Sequence, residues 1–301
     1  MQIYFSFSRQ ATECKPSSDS YRLHFYGLVL MLIYATLFIS NISGDKVKAM
    51  KLGVLAVVTT TLLSGCVVYV GDAQSGGRWS TDDLNHETRT LSLAASELTA
   101  LEANIGAGSL TITGEAGRST IEVSAEVYYI DGEDIRLSLQ RKGDNAVLVA
   151  GFENGGYNGA NPYIDVTIKV PAALQLALTD GSGSIDISGL TQAMDIEDGS
   201  GSINIDGGSD VELDDGSGEV VIRNLSGNVD IEDGSGSLTI MDVAGDVNID
   251  DGSGGIDVMR VGGTVTINDG SGSILVDTAG GLNIIDDGSG GIDTRNIKSR
   301  L

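Results

Sequence analysis

Residues 233–250 read DGSGSLTIMDVAGDVNID, and residues 251–268, directly after them, read DGSGGIDVMRVGGTVTIN. Both segments are 18 residues long and open on Asp-Gly-Ser-Gly. That tetrapeptide occurs seven times, starting at Asp180, Asp198, Asp215, Asp233, Asp251, Asp269 and Asp287, at spacings of 18, 17, 18, 18, 18 and 18. Recurrence of one word at one period is the mark of a repeat architecture. Aligned on the Asp, the fifth following residue is Ile185, Ile203, Val220, Leu238, Ile256, Ile274 and Ile292, and the seventh is Ile187, Ile205, Ile222, Ile240, Val258, Val276 and Thr294. The tenth is Leu190, Gly208, Leu225, Val243, Val261, Ala279 and Ile297. Four residues before the next Asp stand Met194, Val211, Val229, Val247, Val265 and Asn283; two before it stand Ile196, Leu213, Ile231, Ile249, Ile267 and Ile285.

Apolar residues two apart, with polar residues between them, define strands with one buried face. Each unit therefore holds two short strands and two turns. Asp-Gly-Ser-Gly makes one turn, where Gly accepts positive φ and Asp caps nearby N–H groups. The other turn is looser, as in Leu225-Ser226-Gly227-Asn228, and the residue missing from the 17-residue unit falls there, near Gly207-Gly208-Ser209-Asp210. One unit cannot bury its own apolar face, so units must stack. The expected fold is all-β, a parallel β-solenoid with 18-residue coils, right-handed by the crossover rule. Coils about 4.8 Å apart extend seven units roughly 30–35 Å.

Residues 91–170 carry a less regular version of the pattern and read as an N-terminal β part that caps the array, with 171–301 the regular solenoid. Gly108-Ser109-Leu110-Thr111-Ile112-Thr113-Gly114 copies the repeat strand. Asn154-Gly155-Gly156-Tyr157-Asn158-Gly159 reads as an exposed loop. Phe152, Tyr157 and Tyr163, beside Arg141 and Lys142, make it a candidate ligand-binding loop.

The chain has 301 residues and a formal charge of −24. A surface this acidic excludes nucleic acid as a direct partner. Two Cys exclude a disulfide framework, and two His leave little for acid–base or metal chemistry. Charge is uneven: residues 1–65 hold six basic and three acidic groups, whereas the rest hold 12 and 39. This separates a processing segment from an acidic exported domain.

Met50-Lys51 opens a basic start, followed by an apolar run to Leu62 and then Leu63-Ser64-Gly65-Cys66. This resembles the lipobox of bacterial lipoproteins. The resemblance implies a signal peptide over 50–65, cleavage before Cys66, and acylation of Cys66 as the membrane anchor. More than one acyl chain makes such anchoring stable. Residues 1–49, with Cys14 and a second apolar run from Leu28 to Ile39, are then expected to lie upstream of the natural start at Met50. Val67, rather than Asp, follows Cys66, which by the same resemblance implies outer-membrane sorting. Residues 66–90, with Trp79 and His86, are expected to form a flexible tether.

The Gly-Ser-Leu-Thr-Ile-Thr-Gly strand, the segment Val166-Thr167-Ile168-Lys169-Val170-Pro171 and the Gly-Ser-Gly-Ser-Ile-Asp-Ile repeats are similar to the bacterial β-strand-repeat "putative adhesins". That family is a domain of unknown function, allied to autotransporter-adhesin head domains. The resemblance covers about residues 100–298 and brings no catalytic motif. It implies a non-enzymatic cell-envelope lipoprotein, with the membrane as partner through the lipid on Cys66 and an envelope or host-surface ligand for the solenoid.

Stacking in register sets the seven turn Asp residues in a column at one edge, beside a second column of Glu197, Asp214, Glu232, Asp250, Asn268 and Asp286. Unit charges 4.8 Å apart repel by roughly 0.9 kcal/mol in water and more in a drier setting. Turn N–H groups, raised pKa values with shared protons, or bridging Ca²⁺ would offset this. Asp180, Asp198, Asp215, Asp233, Asp251, Asp269 and Asp287 are thus candidate Ca²⁺ ligands, Ca²⁺ being the one cofactor considered. The toxin-type calcium nonapeptide does not match, because Ile256 falls where its ligand Asp belongs.

The alternative function is a carbohydrate-active β-helix enzyme, a lyase or glycosidase using paired Asp. Near-identical coils, short turns that cannot wall a cleft and few aromatics after Tyr163 weigh against it. A structural or stress-sensing envelope protein is the third reading.

Overall fold

The structure is a computed structural model that describes residues 68–69, 84–153 and 161–299, all within one compact unit, Ser64–Leu301. The expected upstream segment 1–49, the signal peptide 50–65, Cys66, Trp79 and Tyr157 lie outside the described residues. None of the described residues is helical.

The chain begins with β1 (Val68–Tyr69), β2 (Asn85–Ala94), β3 (Ala100–Ala107), β4 (Leu110–Glu115), β5 (Thr120–Tyr129), β6 (Ile135–Lys142), β7 (Asn145–Phe152) and β8 (Tyr163–Pro171). The repeats then form β9 (Gln175–Ser188), β10 (Met194–Asp198), β11 (Gly201–Asp206), β12 (Val211–Asp215), β13 (Gly218–Leu225), β14 (Val229–Asp233), β15 (Gly236–Val243), β16 (Val247–Asp251), β17 (Gly254–Asp269), β18 (Gly272–Asp286) and β19 (Gly290–Ile297).

Pairing runs in two walls. Wall A is β6, β7, β3, the first half of β9, β10, β12, β14, β16 and the last segments of β17 and β18. Wall B is β2, β5, β8, β4, the second half of β9, β11, β13, β15, the first segments of β17 and β18, and β19. From β7 and β8 onward every pairing within the walls is parallel. The all-β parallel solenoid with 18-residue coils is therefore the observed fold, Val229 pairing with Val247 and Ile240 with Val258.

The core is a set of ladders between the walls. Wall A contributes Val229 and Ile231 and wall B contributes Leu238, Ile240 and Val243, all at most 2% exposed, and the other coils repeat this. Each such side chain contributes roughly 1.5–3 kcal/mol by burial. The tenth-position residues point inward because the residue before each is left-handed: Asn224, Asp242, Arg260, Thr278 and Asn296 have φ of 54–67°. One such residue breaks the alternation of the wall B strand and turns the next side chain into the core.

The second corner has its own ladder. Asp210 Oδ1 accepts the Asn228 N–H at 2.8 Å, Asn228 Oδ1 accepts the Asp246 N–H at 2.9 Å, and Asp246 Oδ1 accepts the Thr264 N–H at 2.7 Å. The missing residue of the short unit lies in this corner, since Ser188 pairs with Asp206 but Met194 with Val211. A Cβ on Gly208 would stand 2.5 Å from Met194 Cε, so the long Met fills the space that the Gly leaves.

The structure adds detail to three expectations. First, within the less regular part 91–170, β3 and β4 form a coil in register with β9. The chain then doubles back through β5 and β6, and β2, β5 and β8 pair antiparallel, which closes this end. Second, the segment read as a tether is ordered at its end, because β2 starts at Asn85 and β1 pairs with it through Val68 and Thr90. Third, the last coil changes register. Val265 pairs with Leu282 rather than Asn283, and a one-residue bulge follows between Ile284 and Asp286. Ile285 is therefore 66% exposed instead of inward, and the spacing of 18 returns at Asn268–Asp286.

Candidate functional site

Each repeat Asp ends a wall A strand whose alternation is in-out-in-out-in. The Asp therefore points inward, and the column is not a surface edge. Asp180, Asp198, Asp215, Asp233, Asp251 and Asp269 are all 1–5% exposed. From Asp215 to Asp269, one carboxyl oxygen accepts the N–H of the Ser two residues on: Ser217 at 3.2 Å, Ser235 at 3.0 Å, Ser253 at 3.0 Å and Ser271 at 2.9 Å. The other oxygen of each has no donor among the described residues.

Burial raises the pKa of all six. Asp180 is pushed up to about 7 by desolvation and then by Asp198; Asp215 and Asp251 reach about 6 by desolvation and the charges of their ladder neighbours. Asp198, Asp233 and Asp269 rise by desolvation, offset in part by the corner N–H groups. The column is thus a row of buried carboxyl groups in which desolvation, joined in Asp180, Asp215 and Asp251 by the charge of ladder neighbours, favours the protonated form.

Ca²⁺ takes six to eight oxygen ligands converging on one point. Among the described residues, no group of three or more His, Cys, Asp or Glu side chains is arranged to hold a metal ion.

The outward positions of the same strands carry the exposed charge. Asp195 and Glu197 on β10, Glu212 and Asp214 on β12, Asp230 and Glu232 on β14, and Asp250 on β16 make two parallel columns of seven carboxylates. No Lys or Arg occupies an outward position on these four strands. Asn248 and Asn268 interleave at one end, donating to Asp230 at 2.8 Å and Asp250 at 3.1 Å. At the other end the surface dips, because Ala100, Ala177 and Ala193 stand where larger side chains would. A depression of about 430 Å³ there is rimmed by Asp195, Asp210, Glu212 and Asp230. A neighbouring one of about 340 Å³ is rimmed by Glu102, Asp195 and Glu197.

Wall B differs. Its outward positions mix Ser202, Asn204, Val221, Met241, Met259 and Leu275 with carboxylates, some of them paired to Arg. Asp206 bonds to Asn224 at 2.7 Å and Arg223 at 3.1 Å, and Asp242 to Arg260 at 2.6 and 2.7 Å. These partners hold Asp206 and Asp242 below the ordinary carboxyl range.

The expected ligand loop is split by the fold. Phe152 is partly buried against the core, and Tyr157 is outside the described residues. Arg141 and Lys142 are at the far end of the β6–β7 hairpin, opposite Ala146 and Asn145, while Ile135 faces Phe152. Arg141 donates to the Ser96 carbonyl, and Arg136 pairs with Glu153. Tyr163 instead joins a row across wall B that sequence reasoning missed. Its ring stacks on Tyr128 at 4.5 Å, and Tyr128 stacks on His86 at 4.5 Å. Glu126 Oε2 meets His86 Nε2 at 2.6 Å and accepts the Thr88 hydroxyl at 2.8 Å. The signal was available only through pairing, since the register His86–Tyr128–Tyr163 joins three separate segments.

Comparison with family models and with curated proteins finds no match. Solved structures give low-identity likenesses. One is a "putative cell adhesion protein" from Clostridium sporogenes, 13% identical, covering 70% of this chain and 99% of that one with a TM-score of 0.28. A "putative lipid binding protein" from Parabacteroides distasonis is 14% identical, covering 71% and 96% with a TM-score of 0.42. A "putative adhesin" from Bacteroides fragilis is 14% identical, covering 71% and 97% with a TM-score of 0.37.

Proposed function

We propose that this chain is a non-enzymatic cell-envelope lipoprotein, an adhesin-type module whose wall A binds a cationic surface of a partner protein. The carrying observation is the outward grid of seven carboxylates on a rigid parallel wall, unbroken by Lys or Arg and bordered by two Ala-floored depressions. A one-sign face steers an oppositely charged partner and sets specificity. The depressions are the natural seats for Lys or Arg side chains of that partner. Cys66 precedes β1 by two residues, and β1 pairs at the capped end, so acyl chains on Cys66 would hold that end at the bilayer. The solenoid would then point its repeats away from the membrane.

The test uses a surface bearing an immobilised Lys-rich peptide, at about 0.15 M salt, where the Debye length is about 8 Å. Asp195→Asn/Glu212→Gln/Asp230→Asn should weaken binding about tenfold or more, the scale of 1.4 kcal/mol. Asp186→Asn/Glu219→Gln/Asp257→Asn, on wall B, removes the same charge and should change binding less than about twofold. Equal losses would reduce the effect to net charge and sink the reading. The anchor is checked by feeding cells a palmitate analogue: label on the wild type and none on Cys66→Ser is expected, and retained label refutes it.

A further inference from the structure

The two ends of the solenoid are unlike. At the capped end, β6 is the outermost strand of wall A and carries exposed Arg136, Arg141 and Lys142, while β1 lies along part of β2. Charged edge strands of this kind resist further pairing. At the other end, β19 pairs only with β18 among the described residues, whereas the last segment of β18 pairs with β17 and gives its Leu282 N–H to the Ser299 carbonyl at 2.9 Å. The large apolar side chains exposed among the described residues are Ile285 at 66% and Ile292 at 45%, and both lie on this coil. The register change exposes Ile285 here and in no other coil.

The charge of this end is also unlike the rest. Residues 286–299 carry Asp286, Asp287, Asp293, Arg295 and Lys298, a net −1 on a chain of −24, and β19 itself, with Asp293 and Arg295, is neutral. Two such acidic bodies repel least where their β19 strands face each other. Asp293 and Arg295 both point outward from wall B and form an ion pair within the chain.

We infer that the seventh coil is a self-association edge at which two copies of this chain join through a two-fold axis perpendicular to both walls. The axis sets β19 antiparallel to β19 of the second copy. In the register that places Asp293 opposite Arg295 of the second copy, the symmetry places Arg295 opposite Asp293 as well. Four alternating charges then close one wall, cross-strand pairs of the favourable kind. Ile285 and Ile292 lose water at the junction. The contact is isologous and closes at two copies. This inference is independent of the cationic partner proposed for wall A, although a dimer would present two such walls and raise avidity for a repeated ligand.

Sedimentation equilibrium of the full chain, held in non-ionic detergent so that its N-terminal segment does not itself associate, reads the copy number. The wild type should sediment as two copies. Arg295→Asp sets Asp against Asp across the axis and should weaken association at least tenfold. Asp293→Arg/Arg295→Asp restores the alternation and should restore the dimer. Ile285→Lys, at an exposed position that the coil does not need for folding, should also yield the monomer, with the same melting temperature as the Arg295→Asp monomer. A monomeric wild type at about 100 μM, an open-ended series of masses, or a dimer that survives both Arg295→Asp and Ile285→Lys would overturn the inference.

Discussion

Asp233 shows how one functional group, the carboxyl, serves two opposite ends in this chain. Its carboxyl is buried, has one oxygen on the Ser235 N–H, and has its pKa raised by desolvation. Glu232, its neighbour in sequence, is exposed on wall A and adds to the grid. The inward row makes stability depend on pH in an unusual direction. Asp180 titrates at about 7 and Asp215 and Asp251 at about 6 in the folded state, against an ordinary 3.8. The folded state therefore binds more protons than the unfolded state between those limits, and stability falls as pH rises through them. Asp206, Asp242 and Asp277 are shifted down by their hydrogen-bond partners, so their contribution is present above the ordinary value and lost on acidification. The melting temperature should rise from pH 8 to pH 5 and drop again below about pH 4. Asp215→Asn/Asp233→Asn/Asp251→Asn keeps each bond to the corner Ser N–H, and its amides donate to the oxygens that lack partners. It should stabilise the protein at pH 8 by about 1 kcal/mol per site and flatten the pH slope. Melts across pH 4–8 that fall toward acid in both proteins would refute the raised pKa values of the inward row.

At the scale of the element, the corner between the walls is set by close approach of backbone to backbone. The second Gly of each tetrapeptide sits under the same Gly of the coil before it. A Cβ on Gly218, where φ is +155°, would lie 1.5 Å from the Gly201 carbonyl oxygen. One on Gly236 would lie 1.8 Å from the Gly218 oxygen. Gly291, in the last coil, has nothing within 4 Å of that position. Gly218→Ala should therefore cost about 3 kcal/mol or more, whereas Gly291→Ala should stay within about 0.5 kcal/mol. Urea unfolding of the two variants decides it, and similar midpoints would contradict the stacked corner. The strand alternation was legible in the residues, because apolar side chains spaced two apart, as at Leu238 and Ile240, share one face of a strand; both are inward. The left-handed residue that swings Val243 inward was not legible. Asp242, Arg260 and Thr278 share no chemistry that marks positive φ, and only the stacked corner imposes it.

For the molecule as a whole, a solenoid is nearly one-dimensional, and each coil depends on its two neighbours. Removing residues 229–246, one 18-residue coil, brings Val247 over Val211 and leaves Asn228 to accept the Thr264 N–H in place of Asp246. That deletion should keep the fold and lower the melting temperature by only a few degrees, on the scale of about 1 kcal/mol. Removing residues 229–237 sets wall A strands against wall B corners and should abolish cooperative unfolding. Circular dichroism melts separate the two. Equal tolerance of both would mean that the coils are not held in register. The capped end explains why the array is not open at both ends: β5 and β6 run against the solenoid direction and give it an antiparallel rim.

The sequence alone determined the period, the two strands per coil, the inward Ile, Val and Leu ladders and the acidic character of the surface. Repetition makes these visible, because each coil reports the same alternation and errors average out over seven copies. Tertiary structure decided which way the repeat Asp points. Turn chemistry favours Asp at that place in sequence whichever way it points, and only the parity of the wall A strand, counted from Val229 through Ile231 to Asp233, turns it inward. Tertiary structure also decided the end of the array. The one-residue bulge after Ile284 follows from how Gly281 stacks on Thr264, and a fixed spacing along the chain cannot express a change of register between neighbouring coils.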